Sequence, residues 1–515
     1  MSRAVLRLFG LAALALALAG CVRTMPTSLP PAERDAIAAR MMRDIDVLAS
    51  DEFGGRKPGT IGEAKTLAYL TERMQDIGLV SGTNDPGSAW RAPVELVSTM
   101  PEKSRIAFTI ARRAVTVPAE AGFAVTPRRR ELAQGGPATG AAVWFAGANP
   151  ASISDADVAG AIIIVTDERT VTPAMRAGLF ARNAAAVLTV VSSDAALVRL
   201  RARHGAERLR LISDDANTLS AFVTEAAMAE ALGEERWREL SLAAAASDFA
   251  PRELDIGVTI EATSQRREFV SHNLVGMIPG TAPDGRAVLL LGHWDHLGEC
   301  GRADAADRIC NGAVDNASGI ALMLELARRL KSGPPLPRDV YVLATTAEEA
   351  GLLGARAFAA APPVPLDSII AAFNFDTVAV APQGAPVGIV GRTRTPFEPL
   401  VSEYLAKSKR VLASGDYADT FLERQDGWAL LQQGVPAVLI SSAFASREAL
   451  GPFLARDYHR PSDKAEAIEL GGAIDDLLLH EAVIRQVADP ARYSPAPKVP
   501  AEAPAALAPP STPAP

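Results

Sequence analysis

Cysteine is nearly absent from this chain, with three residues in 515, and lysine is scarce, with 8 among 52 basic residues. Three cysteines cannot staple a small disulfide scaffold, and a hydrophobic content of 48% excludes a wholly disordered or collagen-like chain. The net charge of −8 speaks against the clustered cations that neutralise phosphates, so nucleic acid is not an expected partner. No GxGxxG, P-loop or HExxH motif occurs, nor any internal repeat, which sets aside dinucleotide-binding, Walker-type and zincin chemistry. What the chain has is length: at roughly 100–200 residues per domain it can hold two or three domains with proper cores.

The two ends stand apart from the body. Residues 1–21 begin with Arg3 and Arg7, run through an apolar stretch from Leu8 to Ala19 and close on Leu18-Ala19-Gly20-Cys21. This is the order of a secretory signal, too short for a comfortable membrane span. The last four residues resemble the bacterial lipobox, which makes Cys21 the expected lipidation site; an ordinary cleaved signal with an incidental cysteine is the rival reading. Residues 22–31 then form a tether. The expected address is that of an exported, periplasm-facing lipoprotein held to the membrane by lipid at Cys21, and Val22, not being aspartate, points to the outer membrane. Residues 491–515 are Pro/Ala-rich and expected to be disordered, because proline removes backbone donors. Cys300 and Cys310 share one loop; in an oxidising compartment a disulfide is the expected state, with thiolate ligation of zinc as the weaker alternative.

Within the body, residues 32–79 show two helical patterns broken at FGGRKPGT. Residues 101–253 carry short aliphatic runs (AAVWFAG, GAIIIVTD, AAVLTVVSS) between alanine-rich stretches and read as an inserted, smaller β-rich α/β domain. From Leu254 onward, continuous apolar runs at Ala287–Gly292, Asp339–Thr346, Ile369–Phe375 and Pro436–Ser442 alternate with amphipathic helices. The helix after Ser318, a candidate N-cap, has Ile320, Leu324, Ala327 and Leu330 on one stripe. The expected fold is α/β, a mainly parallel, doubly wound mixed sheet covered on both faces.

Histidine, with six residues, is rare enough for its placement to inform. His293 follows the first apolar run, Glu348 and Glu349 the second, and Asp376 the third; Asp315 precedes the Ser318 helix and His459 follows the fourth run. In an open α/β sheet ligands gather beyond the carboxyl ends of the strands, so these groups point into one crevice. Imidazoles with carboxylates suit zinc, with manganese or cobalt as substitutes, and a shared carboxylate can bridge two ions about 3.5–4 Å apart.

GHWDHLG, NGAVDNASGIALMLELA, TTAEEAGLLGARAF, NFDTV and YHRPSDK, in this order, resemble the co-catalytic zinc aminopeptidases of metallopeptidase family twenty-eight. The resemblance covers residues 32–100 and 254–490, a discontinuous catalytic domain, and the insert at 101–253 is similar to a protease-associated domain. It implies one zinc on His293, Asp315 and Asp376 and a second on Asp315, Glu349 and His459. It also implies Glu348 as general base, Asp295 as the carboxylate that orients the first histidine, Tyr458 as the group that steadies the oxyanion, and peptides as substrates. Two departures stand out: Thr377 replaces the usual methionine after Asp376, and RQDGW places Gly427 where a histidine is common, leaving Asp426 to keep the carboxylate role. A carboxypeptidase-like hydrolase, a one-zinc glutaminyl cyclase and a non-catalytic receptor-like ectodomain are the competing readings.

Overall fold

The chain opens with a helix at Pro31–Leu48, started by proline at its first turn, whose Ile37, Met41, Ile45 and Leu48 fall on one face and are buried. A second helix, Ile61–Ile77, is capped by the Thr60 hydroxyl, which accepts from Gly62 N–H at 3.2 Å, and ends at Gly78 with φ +83°. The computed structural model describes residues 27–495, apart from 84, 85, 167, 168, 170, 215–217, 247 and 303. Cys21, the signal segment and the chain from 496 onward lie outside the described residues. Among those described, no helix is long and apolar enough to cross a membrane.

The first helix packs on a third, Gly319–Ser332, and the second on a large mixed sheet. Its order is Gly388–Val390, Ala437–Ser441, Ile369–Asn374, Ala287–His293, Asp339–Thr345, Gly257–Ile278, Arg91–Ile110 and Arg113–Thr116. The parallel part is the central four strands, from Ala437–Ser441 to Asp339–Thr345; the flanking pairings are antiparallel. All four central strands are apolar on both faces because helices cover both: Gly319–Ser332 and Gly471–Val487 belong to one core, and Phe358, Val364 and Leu430 to the other. Each buried Leu or Ile in such a core contributes on the order of 1.5–3 kcal/mol.

Residues 101 and 254 do not mark breaks in the structure. The strands Arg91–Ile110 and Gly257–Ile278 pair continuously through that region as a long two-stranded ribbon, interrupted by one bulge at Thr263/Ser264. Beyond the ribbon lies a second sheet in the order Arg252–Glu253, Val143–Gly147, Ile162–Thr166, Ala186–Val191, Ser220–Thr224 and Gly122–Val125. Its inner four strands are parallel and its two edges antiparallel.

This second sheet carries an acid-sensitive group. His204 stacks near the Phe222 ring at 4.8 Å, and burial, reinforced by Arg208, Arg176, Arg203 and Arg210, pushes its imidazole down to about 3. Between that value and the ordinary histidine pKa of about 6.5, the unfolded chain binds the proton and the folded one does not. Stability is therefore expected to fall as pH drops from 6.5 toward 3 and to be unaffected by this group above 6.5. Urea melts of wild type and His204→Phe at pH 7.5 and 4.5 check this: the variant should lose less stability on acidification. Equal losses would contradict it.

Candidate active site

The site assembles where the central strands end. His293 is the last residue of its strand, Glu348 and Glu349 follow Thr345 closely, and Asp376 follows Asn374. Asp315 arrives from the turn before Gly319–Ser332, and His459 from the segment after the helix Arg447–Arg456. All six lie together in the folded chain, as do Asp295 and Tyr458.

Asp315 sits at the centre, nearly fully buried. Its Oδ1 lies 3.4 Å from His293 Nε2, which is also 3.5 Å from Asp376 Oδ1. Its Oδ2 lies 3.3 Å from His459 Nε2, which is also 2.9 Å from Glu349 Oε2. The two oxygens of one carboxylate thus face two adjoining sets of donors, and His293, Asp315 and Glu349 also offer atoms within 4.8 Å of one another. Donors arranged tetrahedrally around a zinc at roughly 2.0–2.1 Å stand roughly 3.3–3.4 Å apart, close to three of these four spacings. Glu349 Oε1, His459 Nε2 and both ring nitrogens of His296 are buried without a properly oriented hydrogen-bond partner among the described residues. A donor-poor cluster of lone pairs of this kind fits divalent cations.

The charges within the cluster say the same. Burial disfavours a charged His459, yet Glu349 and Asp315 push it up to about 11, and His293 is likewise raised by Glu348, Asp315 and Asp376 against its burial. Burial also works against the Glu349 and Asp315 anions, but the imidazoles around them hold Glu349 down at about 2 and Asp315 well below the carboxylate range. The carboxylates thus call for positive charge at the imidazole positions, which a bound cation would supply in place of protons. Glu348 is different: burial, aided by Glu349, Asp426 and Asp376 and opposed by His293, raises it well above the usual range. It is the acid of the cluster best suited to carry a proton.

Supporting contacts fix these side chains. His293 Nδ1 donates to the carbonyl of Asp295 at 3.1 Å, while the Asp295 carboxylate stands 3.8 Å away and instead accepts the Glu348 N–H at 3.0 Å. The histidine is thus oriented by the backbone of Asp295, and the carboxylate positions the Glu348 turn. Asn316 ties the strand ends together: its amide donates to the carbonyls of His293 and Phe375, and its oxygen accepts from Gly319 N–H at 3.0 Å. Ser318 holds the N-cap position of that helix but makes no capping bond, its hydroxyl donating back to Val314, and Asn316 supplies the bond instead. Thr377 donates its hydroxyl to Asp376 Oδ1 at 2.8 Å and so orients that carboxylate. Asp426 is buried, accepts from the Thr345 hydroxyl and is pushed by burial to about 6, while no side chain reaches the site from Gly427.

Four residues central to this arrangement carried no assigned role in the sequence. His296, second histidine of GHWDH, sits 2.5 Å from Glu349 Oε1 and 5.7 Å, ring to ring, from His459. Asp463, the aspartate of RPSD, accepts the backbone N–H groups of Val314 and Asp315 at 2.8 and 3.1 Å. Arg56, from FGGR, is fully buried and donates to the carbonyls of Leu48, Trp294, Asn311 and Gly312. Asn316 is the fourth. Their motifs were visible, but nothing in local spacing shows that they meet. Cys300 and Cys310 are joined in a disulfide with Cα atoms 5.7 Å apart, on the loop between His293 and Asp315. Gly312, next to that loop, has φ +60°, and a Cβ there would press on the His296 ring and the Asp315 carbonyl.

Residues 273–477 match Peptidase family M28. The alkaline phosphatase isozyme conversion protein of Escherichia coli (strain K12) is 36% identical over 91 residues, 16% of this chain and 26% of that protein. The match therefore spans about a quarter of the length of that relative. The fold is similar to that of an aminopeptidase from Aneurinibacillus sp. strain AM-1, with a TM-score of 0.54 and 18% identity over 88% of this chain and 93% of that one. BSAP, a zinc aminopeptidase from Bacillus subtilis, aligns over 92% of this chain and 98% of its own, with a TM-score of 0.46 and 17% identity.

Proposed function

We propose that this chain, whose residues 273–477 match Peptidase family M28, is a peptide hydrolase of that family, an aminopeptidase working with two zinc ions. The observation that carries the proposal is the division of Asp315, whose two oxygens face different imidazoles in two donor sets. His293 and Asp376 would complete one set and Glu349 and His459 the other, with Asp315 shared between them. Zinc held there would acidify water toward neutrality and polarise a carbonyl. Glu348 takes the proton of the attacking water and returns it to the departing amine. Tyr458, stacked on His459 with ring centroids 3.8 Å apart, is held well above its ordinary pKa by burial and by Asp315, Glu349 and Glu348. It therefore keeps its proton and serves as a hydrogen-bond donor to the developing oxyanion. Metal analysis of the purified full chain, alongside aminoacyl p-nitroanilides and glutaminyl peptides, tests the reading. Two zinc ions per chain with release of p-nitroaniline are expected; one zinc with cyclisation of glutaminyl peptides would replace it.

The parallel strands flanked by helices within residues 101–253 support a protease-associated-like insert. The lipobox-like end of the signal supports acylation of Cys21 and an outer-membrane position facing the periplasm. Cys21→Ser should abolish lipoprotein processing and move the mature protein out of the membrane fraction. Normal maturation of that variant, with wild type recovered in the soluble fraction, would refute the anchor and leave the hydrolase reading intact.

A further inference from the structure

Beside Asp376 the chain forms a narrow, partly open pocket. Phe421, Leu439, Phe444, Leu450 and Leu454 wall it, and Tyr458 stands at its boundary with the metal-ligand cluster. One cation lines this apolar space. Arg424 is half-buried, its guanidinium carbon 5.3 Å from the centroid of the Phe421 ring, and it makes no salt bridge or hydrogen bond with any described residue. By contrast, Arg392 is paired with Glu398 at 2.5 Å. Asp376, which lines the same pocket, is engaged by Thr377 and His293 and lies beyond ion-pair distance of Arg424. The planar fork of a guanidinium facing an apolar pocket matches a carboxylate in bidentate fashion.

We propose that this pocket receives the side chain of the substrate's first residue and that Arg424 selects an acidic one there, glutamate above its neutral isostere glutamine. The methylene stem lies against the apolar walls while the carboxylate meets the guanidinium. This inference rests on the aminopeptidase reading, since it takes the pocket next to the ligand cluster as the place of the N-terminal residue.

The test compares Glu-, Gln- and Leu-p-nitroanilide on the zinc-loaded full chain. The wild type should favour Glu over Gln in kcat/KM by about tenfold or more, the value of a charge-assisted hydrogen bond. In Arg424→Gln that ratio should fall to near one, while Arg424→Lys keeps part of it. Because the ratio is internal to each variant, partial loss of folded protein does not affect it. A second readout is independent of turnover: L-glutamate should raise the melting temperature of the wild type more than L-glutamine does, and Arg424→Gln should abolish the difference. Equal cleavage of Glu and Gln substrates by the wild type, with no change in Arg424→Gln, would overturn the assignment. Failure of the wild type to cleave any aminoacyl substrate would defeat the aminopeptidase reading instead, and the melting comparison would still decide whether Arg424 binds the acidic side chain.

Discussion

Replacing Glu348 by Gln is expected to lower kcat by roughly 10³-fold while leaving zinc content and melting temperature essentially unchanged. Glu348 lies within the His293 and Asp376 group, and its backbone N–H is held by Asp295, so its position does not depend on its own carboxylate. Its proton affinity is raised by burial and by three surrounding carboxylates, which suits it to accept a proton and give it back. An amide of the same shape preserves the packing and cannot do so. Kinetics on an aminoacyl substrate with parallel metal analysis check the prediction. Loss of zinc in this variant, with activity regained on adding metal, would show that the roles of Glu348 and Glu349 are reversed.

The second large effect is on stability. Arg56→Met is expected to cost at least about 3 kcal/mol, because it orphans several buried carbonyls at once and each costs about 1–3 kcal/mol when left unsatisfied. The four acceptors come from the first helix (Leu48), the residue after His293 (Trp294) and the loop leading to Asp315 (Asn311 and Gly312). Burial brings the Arg56 guanidinium down only to about 10, with Asp463, Asp295, Asp315 and Glu349 opposing, so it stays charged throughout the working range. Arg56→Lys should rescue little, since an ammonium cannot span four acceptors spread around a planar fork. Urea denaturation checks both variants, and a lysine variant within about 0.5 kcal/mol of wild type would contradict the account.

Much of the site was legible because α/β sheets impose a rule on sequence. Strands buried on both faces read as unbroken apolar runs, and His293, Glu348 and Asp376 stand just past such runs. Arg56 was illegible for the converse reason: its partners Trp294 and Gly312 lie 238 and 256 residues away, and no periodicity encodes that distance. Asn316 and Asp463 act on backbone groups of other elements and are equally silent locally. The ribbon was missed on other grounds. Between Met100 and Arg105 the strand is exposed on nearly every residue, so the alternation that marks a half-buried strand is missing where the expected domain boundary at residue 101 falls.

The central claim is hydrolysis from a free N-terminus, and mass spectrometry of one unblocked peptide and its N-acetylated twin after incubation with the zinc-loaded full chain tests it most directly. The account predicts stepwise loss of residues from the N-terminus of the unblocked peptide and an intact acetylated twin. Internal fragments, shortening from the carboxyl end, or equal digestion of both peptides would contradict it.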